Sequence, residues 1–217
     1  MDNKQIIEKT IAYVQAEMSG ESSGHDWWHV HQVWQNARRI AEAEGANLFI
    51  CELAALLHDI RDYKFHGGNI EIGPSEARRW LSSCAVTEEI IVLVSDIIRD
   101  LSFKGAGVKS EMKTLEGKVV QDADRLEALG AIGIARTFAY GGNQNKLIYD
   151  PEIKPVFHTS FEQYITNQSH TINHFYEKLF LLKDLMNTRT GKLIATKRHN
   201  YMQGFIRQFM AEWSGEM

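Results

Sequence analysis

The stretch Leu53–Asp62, which reads LAALLHDIRD, decides the fold class of this chain. It closes an apolar run that begins near Leu48 and lacks the alternation of a strand, so a helix at the centre of the core is predicted. His58 and Asp59 place two titratable groups at the buried end of that helix, where an unpaired charge is costly. A bound metal ion is the simplest group that offsets such a cost.

Helical spacing of apolar residues continues over most of the 217-residue chain. No convincing strand pattern, internal repeat or low-complexity linker interrupts it. The predicted helices cover roughly 3–18, 26–44, 48–60, 75–84, 87–101, 115–140, 160–187 and 191–213. Asp26, Ser75 and Thr87 are expected N-caps, and Gly45 is an expected helix end.

We therefore predict an all-α fold, a compact helical bundle that forms a single domain over residues 1–217. The metal-binding core is expected at about 20–140, and additional C-terminal helices at about 158–217. The last two helices are expected either to pack as an arm or to form part of a homodimer contact.

Composition excludes several classes of protein. A net charge of −4 argues against a broad nucleic-acid face. Two cysteines do not make a disulfide framework. The polar N-terminus and the absence of an apolar run of about 18 residues predict neither a signal peptide nor a membrane span. A cytoplasmic protein is expected.

Further metal ligands must come from other helices. His29 is one turn from Val33 on the apolar stripe of its helix, so it is predicted to point inward, whereas His31 points outward. In the later helix, Asp122 and Asp124 lie about 200° apart, so only one of them can aim directly at the same ion. Each borders the apolar stripe, and periodicity alone does not choose between them.

Three segments together resemble a known family. They are HVHQV at His29–Val33, ALLHDIRD at Ala55–Asp62 and DADRL at Asp122–Leu126. This ordered pattern resembles the HD-domain metal-dependent phosphohydrolases, and the flanking segments look like a bacterial subgroup in which some members are nucleoside triphosphate diphosphatases. The resemblance implies the metal ligands His29, His58, Asp59 and Asp124, with Asp122 in a supporting role.

Two imidazoles and two carboxylates form a borderline ligand set. One divalent metal ion is predicted, with Mn²⁺ as the first choice and Mg²⁺, Co²⁺, Ni²⁺, Fe²⁺ or Zn²⁺ as alternatives. Two-metal members of the family need extra histidines between the central pair and the last aspartate, and this chain has only His66 there.

Several other residues are candidates for catalysis or substrate binding. Asp62 is predicted to orient or deprotonate the attacking water, or to protonate the leaving group. Lys64, in the following loop, is predicted to meet phosphate. The remaining candidates for substrate contact are Trp27, Arg61, Lys104 and Arg125. His170 and His174 are one turn apart, but packing is the favoured interpretation for them and for His199.

The predicted function is hydrolysis of a nucleotide, first of all of (deoxy)nucleoside triphosphates to a monophosphate and pyrophosphate. A 5′-nucleotidase acting on monophosphates is the nearest enzymatic alternative. A nucleotide-binding regulatory module without turnover is an alternative from another class, and a purely structural helical protein is a third. Degenerate modules usually lose a ligand, and this chain keeps all four.

Overall fold

The computed structural model describes residues 1–19, 26–61, 69–101, 111–157 and 169–217. These residues form helices and turns and contain no strand, which confirms the all-α prediction. They divide into two compact units, one that ends at Asp124 and one that runs from Arg125 to Met217. The single-domain organisation predicted from the sequence stays a prediction.

The first unit contains five helices and the start of a sixth. They are α1 (Asn3–Glu17), α2 (Trp27–Glu44), α3 (Leu48–Leu57), α4 (Ile72–Ser83), α5 (Glu88–Asp100) and α6 (Leu115–Glu127). Helix α3 contacts α1, α2 and α5, and its residues from Cys51 to Leu57 are buried except for Glu52. This arrangement confirms the prediction that the apolar run lies at the centre of a core.

The second unit contains the end of α6 and four further helical segments. They are α7 (Gly130–Asn143), α8 (Thr171–Glu177), a 3-10 helix (Leu179–Leu185) and α9 (Arg189–Trp213). Helix α9 packs against α7 and the 3-10 helix, and α8 also contacts both. Phe175 is fully buried at the centre of this unit and stacks on Phe205 with a ring separation of 6.0 Å.

The expected caps have mixed outcomes. Asp26 is the N-cap of α2, and Gly45 ends that helix with a left-handed φ of 72°, as predicted. Thr87 is the N-cap of α5, although its side chain makes no capping hydrogen bond. The prediction for Ser75 as an N-cap was wrong, because α4 already begins at Ile72. Pro74 is tolerated in the first turn of α4, since the N–H groups of a first turn have no helical partner.

The long helix predicted at about 115–140 is two helices. The helix is interrupted between α6 and α7, where Gly130 adopts a left-handed φ of 78°. A single glycine within an apolar periodic pattern was not enough to predict this break, since an isolated glycine is tolerated in helices. Predicted residues 160–187 contain α8 and the 3-10 helix, with 158–168 outside the described residues.

None of the helices in the described ranges combines the length and the hydrophobicity that crossing a membrane would require.

Candidate metal centre

Helix α2 presents His29 from its first turn. Asp26 is the N-cap of the helix, and its carboxylate accepts a hydrogen bond from the His29 N–H at 3.0 Å. The cap therefore also fixes the backbone of His29. Val30 and Val33 are fully buried beneath this turn. The helix therefore fixes the His29 ring against the core, and the residue itself is buried as predicted.

His58 and Asp59 follow directly after the last residue of α3. The Nδ1 atom of His58 lies 2.8 Å from the Ala55 carbonyl oxygen, which can only accept a hydrogen bond. We therefore assign the ring proton to Nδ1, which leaves the Nε2 lone pair directed away from the helix. This second hydrogen bond to a backbone carbonyl is common in metal-binding histidines.

Asp124 reaches the same point from α6. The Glu116 carboxylate accepts a hydrogen bond from the Asn47 N–H at 3.0 Å, which ties the first turn of α6 to the start of α3. Val120 and Ala123 are fully buried on the inner side of α6. Asp122 is fully buried as well, whereas the Asp124 side chain keeps 36% of its surface exposed.

The side chains of His29, His58 and Asp59 lie together, and Asp124 faces the two imidazoles; we call these four residues the HHDD cluster. The two Nε2 atoms are 3.3 Å apart. Asp59 Oδ2 lies 3.3 Å from Nε2 of His29 and 3.5 Å from Nε2 of His58. Asp124 Oδ1 lies 3.7 Å and 3.9 Å from the same two nitrogens.

The separations among His29, His58 and Asp59 fit a bound cation, whereas those from Asp124 are a few tenths of an ångström longer than between adjacent ligands of one ion. Donor atoms about 2.1 Å from one ion are about 3.0 Å apart at adjacent octahedral positions and about 3.4 Å apart at tetrahedral ones. His29, His58 and Asp59 satisfy the spacing of a metal-binding group, and Asp124 adds a second carboxylate to them. Because the Nε2 atom of His58 carries no proton in the assigned tautomer, its lone pair can bind a cation.

Comparison with known proteins agrees with this geometry. The HD domain family matches residues 27–129, which include all four members of the HHDD cluster. YpgQ of Bacillus subtilis is 39% identical over 216 residues, which cover 99% of this chain and 97% of YpgQ. The chain belongs to the HD domain family. The solved structure of an HD-superfamily hydrolase from Bacillus thuringiensis matches this HD protein with a TM-score of 0.77 at 45% identity, over 98% of this chain and 99% of the other.

Two further structures extend the comparison. A protein from Lactobacillus plantarum matches with a TM-score of 0.87 at 40% identity, over 99% of this chain and all of that one. The structure of YpgQ in complex with ADP matches with a TM-score of 0.72 at 34% identity, over 95% of this chain and 97% of YpgQ. This HD protein is a metal-dependent phosphohydrolase whose cofactor is a divalent metal ion.

The other predicted site residues of this HD protein have varied placements. Asp62, Lys64 and Lys104 lie outside the described residues. Arg61 forms an ion pair with Glu17, with 2.6 Å between Nη2 and Oε2. Arg125 is buried, and its guanidinium donates a hydrogen bond to the Leu185 carbonyl. Both arginines therefore have protein partners, which weakens the expectation that they contact substrate.

Trp27 lies at intermediate exposure at the start of α2, and its ring centroid is 5.7 Å from that of His31. The neighbouring Trp28 is 67% exposed, with its ring 5.9 Å from His31. Trp28 was not among the site residues predicted from the sequence. A tryptophan at the polar start of an amphipathic helix was the available signal, but its exposure is known only from the structure.

The sequence also gave no indication of two supporting contacts. The Ala55 carbonyl holds the His58 ring, and the three-residue spacing between them is the only feature of the sequence that could have suggested this contact. Glu17 holds Arg61 from 44 positions away, a separation for which a single sequence carries no local signal.

Proposed function

We propose that this HD protein hydrolyses (deoxy)nucleoside triphosphates to a monophosphate and pyrophosphate, with one divalent metal ion, Mn²⁺ first of all, held by the HHDD cluster. The observation that carries the metal assignment is the approach of the two imidazole Nε2 atoms to within 3.3 Å of each other, with an oxygen of Asp59 and one of Asp124 each 3.3 to 3.9 Å from both nitrogens. A mixed set of nitrogen and oxygen donors suits a borderline first-row metal.

The choice of a nucleotide is supported by a relative. YpgQ has been solved in complex with ADP, a nucleoside carrying two linked phosphates. The present chain is 39% identical to YpgQ over nearly its whole length. We propose that the same class of ligand reaches the HHDD cluster here, from the exposed side of Asp124.

The roles of the protein groups follow from their chemistry. When bound, a divalent ion polarises a phosphoryl oxygen and lowers the pKa of a water molecule. The Ala55 carbonyl keeps the His58 ring in the tautomer that offers Nε2. The Asp59 and Asp124 carboxylates supply the negative charge that balances a cation in a largely buried site.

We further propose that Asp62 orients or deprotonates the attacking water and that Lys64 binds a phosphate oxygen. Asp62 follows Asp59 by three residues, which keeps it near the cluster in sequence. Asp62→Asn is expected to keep the metal and to slow turnover, because the amide retains the shape but not the basicity. An unchanged rate in Asp62→Asn would remove this residue from the proposal.

A 5′-nucleotidase is the second candidate, and one observation favours it. Arg61 and Arg125, two of the five cations or stacking groups predicted to meet substrate, are held by Glu17 and the Leu185 carbonyl. Fewer available cations suit a substrate with fewer phosphates. A triphosphate would then depend more strongly on the lysines in residues 62–68 and 102–110.

One experiment separates these functions. The purified protein is incubated with ribo- and deoxyribonucleoside tri-, di- and monophosphates, with Mn²⁺ and after chelation, and the products are identified. Pyrophosphate and a monophosphate from triphosphates support the proposal, whereas phosphate from monophosphates supports the 5′-nucleotidase. Asp59→Ala is expected to abolish turnover, and Asp96→Asn, an exposed substitution on α5, is its control. If no nucleotide is hydrolysed under any of these conditions, nucleotide hydrolysis is excluded and the regulatory module is favoured.

A further inference from the structure

We propose that Arg61 is a positioning residue, whose ion pair with Glu17 and backbone contact with Gly73 hold the turn that carries His58 and Asp59. This inference rests on the proposed metal site. Arg61 would then support the HHDD cluster rather than bind substrate. Glu17, in α1, would affect metal binding only indirectly, by holding Arg61.

The turn needs support because it lies beyond regular helix. Helix α3 ends at Leu57, and His58 is its C-cap in the right-handed helical region. The Ile60 N–H donates to the Leu57 carbonyl at 3.3 Å, a three-residue turn rather than a continued α-helix. His58 and Asp59, two of the four cluster residues, therefore lie in a turn that follows α3 rather than within the helix.

Arg61 supplies one such contact through its side chain. Its Nη2 atom lies 2.6 Å from Oε2 of Glu17, the last residue of α1. Both side chains are about one-third exposed, so this pair is only partly screened by water. A short hydrogen bond between two charged groups is stronger than a neutral one and is directional.

Arg61 supplies a second contact through its backbone. A Cβ atom at Gly73, in the first turn of α4, would lie 3.3 Å from the Arg61 carbonyl oxygen. That approach is tighter than ordinary van der Waals contact, so the glycine allows α4 to lie directly against the backbone of the turn. The residue two positions after Asp59 is thus held from α1 and from α4.

The two supporting helices are themselves tied together. Tyr13 of α1 stacks on Trp80 of α4 with ring centroids 3.9 Å apart and planes within 6°. The Trp80 indole donates to the Thr10 hydroxyl at 3.0 Å, and the Tyr13 hydroxyl donates to the Glu76 carboxylate. Helices α1 and α4 therefore form one support, and a displacement of Arg61 relative to it would move Asp59.

The test measures Mn²⁺ affinity of the full-length protein by electron paramagnetic resonance of the free ion. The variants are Glu17→Gln, Arg61→Gln and the double substitution, and Arg61→Lys retains the charge. Glu88→Gln is the control, because it removes a more exposed Glu–Arg ion pair, formed with Arg78 at the start of α5. Thermal unfolding of the metal-free proteins is recorded in parallel.

We expect Glu17→Gln and Arg61→Gln each to weaken Mn²⁺ binding about tenfold, as changes in groups that orient metal ligands commonly do. The double variant is expected to lose no more than either single one, because both remove the same pair. Arg61→Lys is expected to keep most of the affinity, and Glu88→Gln all of it. Unfolding temperatures of the metal-free proteins show whether each variant is folded, so that a loss of Mn²⁺ affinity is not confused with a loss of the fold.

Gly73→Ala tests the backbone contact independently. Alanine is a better helix former than glycine, so a local effect would raise stability or leave it unchanged. We expect Mn²⁺ affinity to fall nevertheless, because the new methyl group displaces the Arg61 carbonyl.

A wild-type protein that binds no divalent ion would overturn the metal assignment itself. A wild-type protein that binds Mn²⁺, while the Glu17 and Arg61 variants bind it as tightly as Glu88→Gln does, would overturn only the present inference. Losses that add in the double variant would also overturn it, since they would show that the two residues act separately.

Discussion

Asp124 is the most exposed member of the HHDD cluster. Its side chain keeps 36% of its surface in contact with solvent, whereas the His29 and His58 side chains keep 3% and 4%. Its Oδ1 atom is also the farthest from the two imidazole nitrogens, at 3.7 and 3.9 Å. A ligand at such a position can adjust its distance to the ion, and its exposed side is the one from which we propose that substrate enters.

Substitutions at Asp124 and Asp122 should therefore have different effects on metal binding. Asp124→Asn is expected to weaken Mn²⁺ binding by more than about tenfold, because it removes one of two balancing negative charges. Asp122→Asn should keep near-stoichiometric metal, since Asp124 is the carboxylate that faces the imidazoles. Metal content after dialysis is the measurement, with unfolding midpoints to show that both variants are folded. Equal losses of bound metal from the two variants would contradict the assignment of Asp124, rather than Asp122, as the metal ligand.

Periodicity at the level of single residues predicted an inward His29 and a buried end of α3. It left Asp122 and Asp124 undecided, because both border the same apolar stripe and the choice depends on a distance between helices. The partners of Arg61 and Arg125 were not predictable either, since Glu17 and Leu185 are remote in sequence. Local spacing determines which face a residue occupies, but not which distant group meets it.

Two of the four glycines in α7, Gly133 and Gly142, lie in contrasting environments. A Cβ atom at Gly133 would lie 2.4 Å from the carbonyl carbon and oxygen of Ala128, in the turn between α6 and α7. A Cβ atom at Gly142 would meet nothing within 4 Å. The tight approach at Gly133 allows α7 to start directly after the break at Gly130, which the sequence did not reveal.

Alanine substitutions should therefore change stability in opposite directions along α7. Gly133→Ala is expected to lower the free energy of unfolding by about 2 kcal/mol or more, because a backbone carbonyl cannot move aside as a side chain can. Gly142→Ala is expected to raise it by about 0.5 kcal/mol through reduced freedom of the unfolded chain. Urea unfolding of both variants measures the difference. A Gly133→Ala protein as stable as the wild type would show that the α6–α7 turn is not as close as described.

His174 in α8 is expected to make the stability of the second unit depend on pH. Burial, reinforced by the charges of Lys178 and Lys146, lowers the pKa of His174 from 6.5 to about 3, although the residue as a whole keeps intermediate exposure. Between these pH values the unfolded chain binds a proton that the folded chain does not. Stability should therefore be unaffected by His174 above pH 6.5 and fall as the pH drops towards 3, by at most about 1.4 kcal/mol per pH unit.

The His174→Gln variant isolates this contribution. Its free energy of unfolding should fall less steeply between pH 6.5 and 4.5 than that of the wild type, because glutamine takes up no proton. Urea unfolding at several pH values measures the two slopes. Parallel slopes would mean that the imidazole is protonated in the folded protein at the same pH as in the unfolded chain.

The HHDD cluster belongs to the first of the two compact units, and Asp124 is the last residue of that unit. The all-α class and the central place of the apolar run were predictable, because apolar spacing along each helix reports burial directly. The division at residue 124 was not, since it falls inside α6, where the sequence shows a continuous helical pattern. The family resemblance covered the middle of the chain, and relatives such as YpgQ extend it to nearly the full length.

The most direct measurement is anomalous X-ray diffraction from crystals of the protein grown with Mn²⁺. We predict one anomalous peak per chain, within about 2.0–2.3 Å of Nε2 of His29 and His58 and of a carboxylate oxygen of Asp59 and Asp124. The absence of a peak there in protein that retains Mn²⁺, or a second peak of equal height beside it, would contradict a single ion held by these four residues.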